Sequence, residues 1–303
     1  MRRREVVLSG LAALGACATI REGSLRPSPP KEPLVRTLRT GLAMGESPRW
    51  HDGRLWICDW GAQEILTIGP GGRSVSSTPA PFGLPFCIDW LHDGRLLIVA
   101  GREGRLVRRE LDGSFVTHAT LGDGAWNEIV VDGRGNIYIN GGSANGITLV
   151  KPDHSVHRVA DGLAFPNGMA VSADNRTLIV AESLGNRLTA FDIATDGSLS
   201  KRRVWAALGD GVPDGICLDA EGAAWYADVP NKRCVRVREG GHVLQSIAVD
   251  RGCFACMLGG PRRKTLFVIA AEWRGMERIA EVAAARTGQV LAIDVSVPGV
   301  GWP

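Results

Sequence analysis

His51-Asp52-Gly53-Arg54-Leu55-Trp56-Ile57 and His92-Asp93-Gly94-Arg95-Leu96-Leu97-Ile98 are one pattern met twice, a tight polar turn followed by an apolar strand. The pattern continues along the chain. Gly133-Arg134-Gly135-Asn136-Ile137-Tyr138-Ile139 is a third copy and Ala173-Asp174-Asn175-Arg176-Thr177-Leu178-Ile179 a fourth. Ala220-Glu221-Gly222-Ala223-Ala224-Trp225-Tyr226 and Arg262-Arg263-Lys264-Thr265-Leu266-Phe267-Val268 complete the set. The second turn positions fall at residues 52, 93, 134, 174, 221 and 263, a period of 40 to 47 residues. That is the length of one four-stranded propeller blade. Asp-Gly-type turns supply the positive φ angles that tight hairpins need, and the flanking runs Leu96 to Ala100 and Leu178 to Ala181 are apolar and strand-length.

The pattern predicts an all-β fold, a six-bladed β-propeller of four-stranded blades over residues 34–303. One blade cannot bury both its faces, so the ring must close. A spare apolar strand around Leu34 to Leu38 is expected to complete the last blade beside Gly288 to Val295, leaving only short edges. A solenoid has the same period but not the turn-strand-turn-strand unit. Only Met276 to Arg286 carries a helical pattern.

The hydrophobic fraction is 45% and the charged fraction 22%, ordinary for a soluble globular chain. Arg2, Arg3 and Arg4 against Glu5 supply +2 of the net charge of +3, so the body is nearly neutral and offers no nucleic-acid footprint. Residues 1–20 read as a signal peptide: a basic start, an apolar stretch from Val6 to about Ala16 that is too short to span a bilayer, a twin-arginine-like Arg3-Arg4-Glu5-Val6-Val7, and a lipobox-like Leu14-Gly15-Ala16-Cys17. Export to the periplasm or cell envelope is expected, with any membrane contact through a lipid on Cys17. The alternative is a cytoplasmic protein with its start codon placed upstream. Residues 21–33 read as a Pro-rich linker.

Six cysteines remain beyond Cys17, most in apolar runs that predict buried thiols. Cys253-Phe254-Ala255-Cys256 has redox spacing but no βαβ context, and the two CxxC pairs of a zinc site are absent.

Counting back seven residues from each turn position gives Phe86, Asn127, Asn167, Asp214 and Cys256, and six back in the tighter first repeat gives Glu46. These positions are expected just before the innermost strand of each blade, projecting at one level into the central channel. Glu46, Asn127, Asn167 and Asp214 are oxygen donors, two carboxylates and two carboxamides. That set suits one hard divalent cation, Ca²⁺ foremost, with Mg²⁺, Mn²⁺ or Zn²⁺ as alternatives. Taken singly, Asn-Gly and Asp-Gly are ordinary turn residues; four donors at one repeat phase point to a site.

The motifs Gly45-Glu46-Ser47-Pro48-Arg49-Trp50, Asn127-Glu128-Ile129-Val130-Val131-Asp132, Pro166-Asn167-Gly168-Met169 and Pro213-Asp214-Gly215-Ile216-Cys217-Leu218-Asp219 carry a resemblance, as does Gly259-Gly260-Pro261 ahead of Thr265-Leu266-Phe267-Val268. From Leu34 to the C-terminus the chain resembles the regucalcin and gluconolactonase (senescence-marker-protein) family, of which diisopropyl fluorophosphatase is a distant relative. The resemblance implies that Glu46, Asn167 and Asp214 are metal ligands, that Asn127 lies beside metal and substrate, and that Asp214 doubles as general base. Two departures stand out. The family's Asn-Asp pair is Asn127-Glu128 here, and Ala125 stands where sugar-lactone members carry an arginine. Trp126 and Phe86, with Cys256, are expected to line a more apolar substrate pocket. Asn140 to Ile147 is short and Gly-rich, so one channel-mouth loop is expected to be reduced.

The implied function is metal-dependent hydrolysis of a lactone or related ester, the cation polarising the carbonyl and Asp214 acting as general base. No histidine falls at the ring offset, and there is no Gly-x-Ser-x-Gly elbow. Phosphotriesters are a second substrate class for the same machinery. An exported, non-enzymatic propeller that binds a metal and a ligand is the alternative. The oligomeric state is open.

Overall fold

The computed structural model describes residues 34–73 and 75–303; the signal-peptide and linker readings lie outside them. Six four-stranded antiparallel sheets follow one another, each running from an inner strand to an outer one. The inner strands are Gly45–His51, Phe86–Trp90, Trp126–Val131, Pro166–Val171, Pro213–Leu218 and Gly252–Gly259. The hairpins that follow them use the expected left-handed backbone: Asp52 (φ 48°) and Gly53 (φ 70°) in blade one, Asn175 (φ 58°) in blade four, and Gly260 (φ 83°) and Arg263 (φ 52°) in blade six.

Closure is as expected. Val35–Leu42 pairs antiparallel with Gly288–Asp294 and becomes the outer strand of blade six. The core explains why the ring has to close. It is divided among the blade interfaces, each cluster mixing residues of two neighbouring blades. Cys58 and Ile65 of blade one, for example, meet Phe86, Ile88 and Ile98 of blade two. The last interface joins Phe267, Ile269 and Val290 of blade six to Leu55, Ile57 and Leu66 of blade one, with Leu42 of the closing strand between them. Burying this apolar surface drives assembly, and an open ring would leave one such interface wet.

Met276–Arg278 forms a 3₁₀ turn and Ile279–Ala285 a seven-residue helix. Val282 anchors that helix on Met44 and Phe254 at the end of the ring where the inner strands begin. The opposite end is crossed by the C-terminal segment, which bridges Asp219 to Gly299 and Val171 to Trp302. Among the described residues no helix is long and apolar enough to cross a membrane.

Candidate metal centre at the channel mouth

The donor residues lie inside the inner strands, not before them, and a β-bulge presents most of them. In blade five Pro213 pairs with Asp228 and Ile216 with Tyr226, so Asp214 and Gly215 together oppose Ala227. Blade four repeats this with Asn167 and Gly168 between the pairs Pro166–Glu182 and Met169–Val180, and blade three with Asn127 and Glu128 between Trp126–Gly141 and Ile129–Ile139. A bulge inserts one extra residue and re-aims side chains that would otherwise alternate into the sheet packing. In blade one the irregularity follows Glu46, at Ser47 (φ 48°) and Pro48. The glycines after Asn167 and Asp214 are not turn residues. A Cβ on Gly168 would stand 2.5 Å from the Asp214 carbonyl oxygen, and one on Gly215 would stand 2.7 Å from the Ala255 Cα. Neighbouring inner strands approach too closely there for any side chain.

Asn127, Asn167 and Asp214 are brought together, and Glu46 lies near enough for its charge to act on Asp214. Asn127 Nδ2 donates to Asn167 Oδ1 at 3.2 Å, and Asn167 Nδ2 faces Ser183 Oγ at 3.4 Å. Ser183 Oγ donates in turn to the Pro213 carbonyl at 2.7 Å, which ties the blade-four site to the strand that carries Asp214. Burial pushes the Glu46 carboxyl up to about 8, the Ser47 amide opposing and the Glu128 charge adding. Burial also pushes Asp214 well above the usual carboxylate range; the Glu46 charge is the next cause, and a hydrogen bond from Asn167 opposes it. The buried Glu46 and the half-buried Asp214 therefore repel each other across the mouth, and among the described residues neither pairs with a lysine or arginine. Sites of this kind neutralise or bind a cation.

The donor chemistry fits a hard divalent ion, with Glu46 and Asp214 matching its charge and the Asn127 and Asn167 amide oxygens extending the oxygen set. No three His, Cys, Asp or Glu side chains gather as a metal cluster among the described residues, so the fit depends on those two amides.

Arg49 of blade one reaches Glu128 of blade three at 2.9 Å, both side chains under a tenth exposed, and Arg49 also donates to the Ile129 carbonyl at 2.7 Å. Ser47 Oγ donates to Glu128 at 3.4 Å and accepts from the Ile88 amide. The glutamate that replaces the family's aspartate is thus half of a buried ion pair that floors the site.

Three expected pocket residues are elsewhere. Phe86 is fully buried between blades one and two, because its strand pairs with Leu96–Ala100 without a bulge to turn it inward. Trp126 precedes the bulge of its strand. It packs against Cys87, Val99 and Ile129, donates Nε1 to the Gly122 carbonyl, and its ring lies under Gly142. Cys256 points into the core between blades five and six, 4.0 Å from Cys217 in sulfur–sulfur distance. The bulge of its strand falls at Phe254, which therefore holds the blade-six ring position. All six cysteines of the described residues are buried free thiols. The sequence reading missed Asn140 and Ser183. Asn140 accepts from the Glu128 amide and donates to the Asn167 carbonyl. Asn140 is the penultimate residue of the second strand Ile137–Gly141, and Ser183 opens the 3₁₀ turn just after the second strand Thr177–Glu182; a polar residue closing the apolar run Ile137-Tyr138-Ile139 was the legible signal.

The family model of the SMP-30/gluconolactonase/LRE-like region matches residues 44–272. Regucalcin of Xenopus laevis is 28% identical over 75% of this chain and 83% of its own length. A 6-deoxy-6-sulfogluconolactonase of Pseudomonas putida is 26% identical over 90% and 98%. The crystal structure of a calcium-binding regucalcin from Agrobacterium tumefaciens superposes with a TM-score of 0.76 at 21% identity, covering 90% of this chain and 97% of that one. With its bulged inner strands and the family match spanning both Glu46 and Asp214, the chain belongs to the SMP-30/gluconolactonase/LRE-like family.

Proposed function

We propose that this protein is a divalent-cation-dependent hydrolase of lactones or related esters, with its reacting centre at Glu46, Asn127, Asn167 and Asp214. The observation that carries the reading is the bulged inner strands that bring Asn127, Asn167 and a half-buried Asp214 to one mouth with the buried Glu46, the Asn127 and Asn167 amides 3.2 Å apart. The gluconolactonase and regucalcin relatives support both the substrate class and calcium as the ion. A cation held there supplies charge that polarises the lactone carbonyl and offsets the developing oxyanion. Glu46, buried and held by the Ser47 amide, is the fixed anchor of the set. Asp214 is the more open of the two carboxylates and can present one oxygen to a water, take its proton and later return it to the leaving alkoxide. Asn127 lies beside Asn167 and can donate its amide N–H to the substrate.

The test is a lactone panel assayed with calcium and after chelation. Turnover that vanishes on chelation and returns with the ion is expected. Activity indifferent to chelation would remove the cation from the reading, turnover confined to phosphotriesters would move the substrate class, and binding without turnover would make the protein a ligand-binding propeller. An export leader within residues 1–20 belongs to the same proposal, with mature protein beginning near Cys17. Recovery of intact Met1 from native cytosol would sink that part.

A further inference from the structure

A groove of about 560 Å³ opens on the same end of the ring as Glu46. Ala43 lines it, three residues before Glu46 in the chain and so at most ~11 Å from it along the backbone. Trp60 lines it too, and donates Nε1 to the carbonyl of Phe86, the blade-two ring position. Trp60, Phe82 and Leu84 form an apolar wall, and the alanine face of the Ile279–Ala285 helix, Ala284 among it, stands opposite. Arg102 and Arg286, both exposed, complete the lining. No acidic side chain lines the groove, and neither guanidinium makes an ion pair among the described residues. The helix lies beyond the span matched by the family model, which ends at residue 272.

The position of this groove is set by the ring itself. Oxygen donors come from blades one, three, four and five, whereas the corresponding residues of blades two and six, Phe86 and Phe254, are buried in apolar clusters and offer no donor. The groove lies on that apolar side, between the blade-one and blade-two loops and the helix of blade six. A substrate whose reacting carbonyl sits among the donors can lay a substituent only where there is space and matching chemistry. Ala125, just before the bulged strand of blade three, presents only an exposed methyl. The volume is that of a small-molecule site, which runs roughly 300–1,000 Å³. An apolar wall takes hydrocarbon, and two arginines that form no ion pair take a carboxylate or similar anion through forked hydrogen bonds, although the Glu103 carboxylate sits on the Gly83 amide beside Arg102.

We propose that the groove holds the substituent of the substrate, and that the substrate is a lactone bearing an apolar chain or ring that ends in an anionic group. This rests on the lactonase reading above, and the experiment separates the two. Three matched lactones are compared: γ-butyrolactone, γ-nonalactone, and the γ-lactone of 4-hydroxydecanedioic acid, which carries a comparable chain ending in carboxylate. The expected kcat/KM rises at least tenfold from the first to the second and again to the third. Ala284→Trp, which fills the groove from an exposed helix position, should erase the first step, and Arg102→Glu should erase the second, chiefly through KM. Equal kcat/KM across the three lactones would overturn the inference and leave the lactonase reading standing. If none is hydrolysed, binding of nonanoate followed by tryptophan fluorescence decides the groove alone. Saturable binding weakened by both variants supports it, and binding that is absent or unchanged in Ala284→Trp overturns it.

Discussion

Glu182 and Glu46 are both buried glutamates near the channel mouth, and they are driven in opposite directions. Burial raises the Glu182 carboxyl, but hydrogen bonds from Arg187, the Ala164 amide and Thr189 outweigh it and hold the group at about 2. Arg202 adds a second ion pair. Glu46 is buried to a similar degree, has one amide from its own neighbour Ser47, and is pushed up to about 8. Elsewhere the rule is the Glu182 rule. Asp219 has Arg236, Asp228 has Arg233, Glu128 has Arg49, and Asp59 takes the Ala43 and Met44 amides. Glu46 and Asp214 form no ion pair with a lysine or arginine among the described residues, and each is raised in part by the other's or a neighbouring charge. The fold compensates Glu182 with arginines and gives Glu46 and Asp214 no such partner among the described residues, which is the contrast on which the proposed site rests.

The largest effect comes from breaking compensation where it exists. Arg49→Met keeps the bulk of the stem and removes the only cation against Glu128. A buried charge that loses its partner costs about 3–5 kcal/mol, so urea unfolding of this variant should show a loss of that size. Arg49→Met paired with Glu128→Gln should recover most of it. A loss below about 1 kcal/mol, the size of an exposed pair, would show that water already screens the channel floor.

Glu182 gives the next effect, read by pH. Its folded value lies below its ordinary 4.5, so it contributes stability that is present above pH 4.5 and is lost as pH falls towards 2. The shift corresponds to about 3 kcal/mol. Asp89, raised by burial to about 6, acts in the opposite sense, losing stability as pH rises from 3.8 through 6. The clean measurement is therefore wild type minus Glu182→Gln. That difference should shrink steadily below pH 4.5, and a flat difference would mean the arginines do not hold Glu182 charged.

The comparison also shows what the sequence could and could not reveal. Blade number, the closing strand and the four donors were legible because turns and donors recur at fixed offsets, and a periodic signal survives ignorance of packing. Bulges were not legible, since an extra residue in one strand leaves no mark until its partner is known. That is why a fixed count of seven found Asp214 and Asn167 but landed two residues past Phe254 on Cys256, and why Phe86 and Trp126 were read as pocket residues although their strands turn them into the core. Pairing across the ring was hidden for the same reason. Nothing in Asn127-Glu128 says that the glutamate faces an arginine 79 residues earlier.

Asp214→Asn tests the uncompensated side by function. The substitution keeps shape and one oxygen donor and removes the charge and the basicity. Turnover should fall about a hundredfold or more, the size of a general-base contribution, measured at saturating calcium on any accepted lactone. Folding should be intact by thermal melt. Turnover within a few-fold of wild type would remove Asp214 from the chemistry and leave Glu46 the sole distinctive acid.

The smallest effect is the sharpest test of the contrast, because its sign is unusual. Glu46 titrates above its ordinary value, so in cation-free protein its contribution is fully present below pH 4.5 and is lost as pH rises towards 8. At pH 7 the folded state therefore carries an acid that prefers to be neutral. Glu46→Gln keeps the volume and an oxygen and has nothing to ionise. Water at the channel mouth screens the charge, so the cation-free variant should be more stable than wild type by about 1 kcal/mol rather than the full linkage value, roughly 2 °C in melting temperature for a chain of this length. The advantage should fade below pH 4.5, where both side chains are neutral. Saturating calcium should reverse the order, since a ligand that binds only the folded state stabilises in proportion to its affinity and the variant has lost one of two charges that attract it. Glu182→Gln provides the control, because removing a compensated acid should destabilise with or without the ion. If Glu46→Gln destabilises the cation-free protein as Glu182→Gln does, Glu46 is an ordinary structural acid with a partner that the static geometry does not reveal.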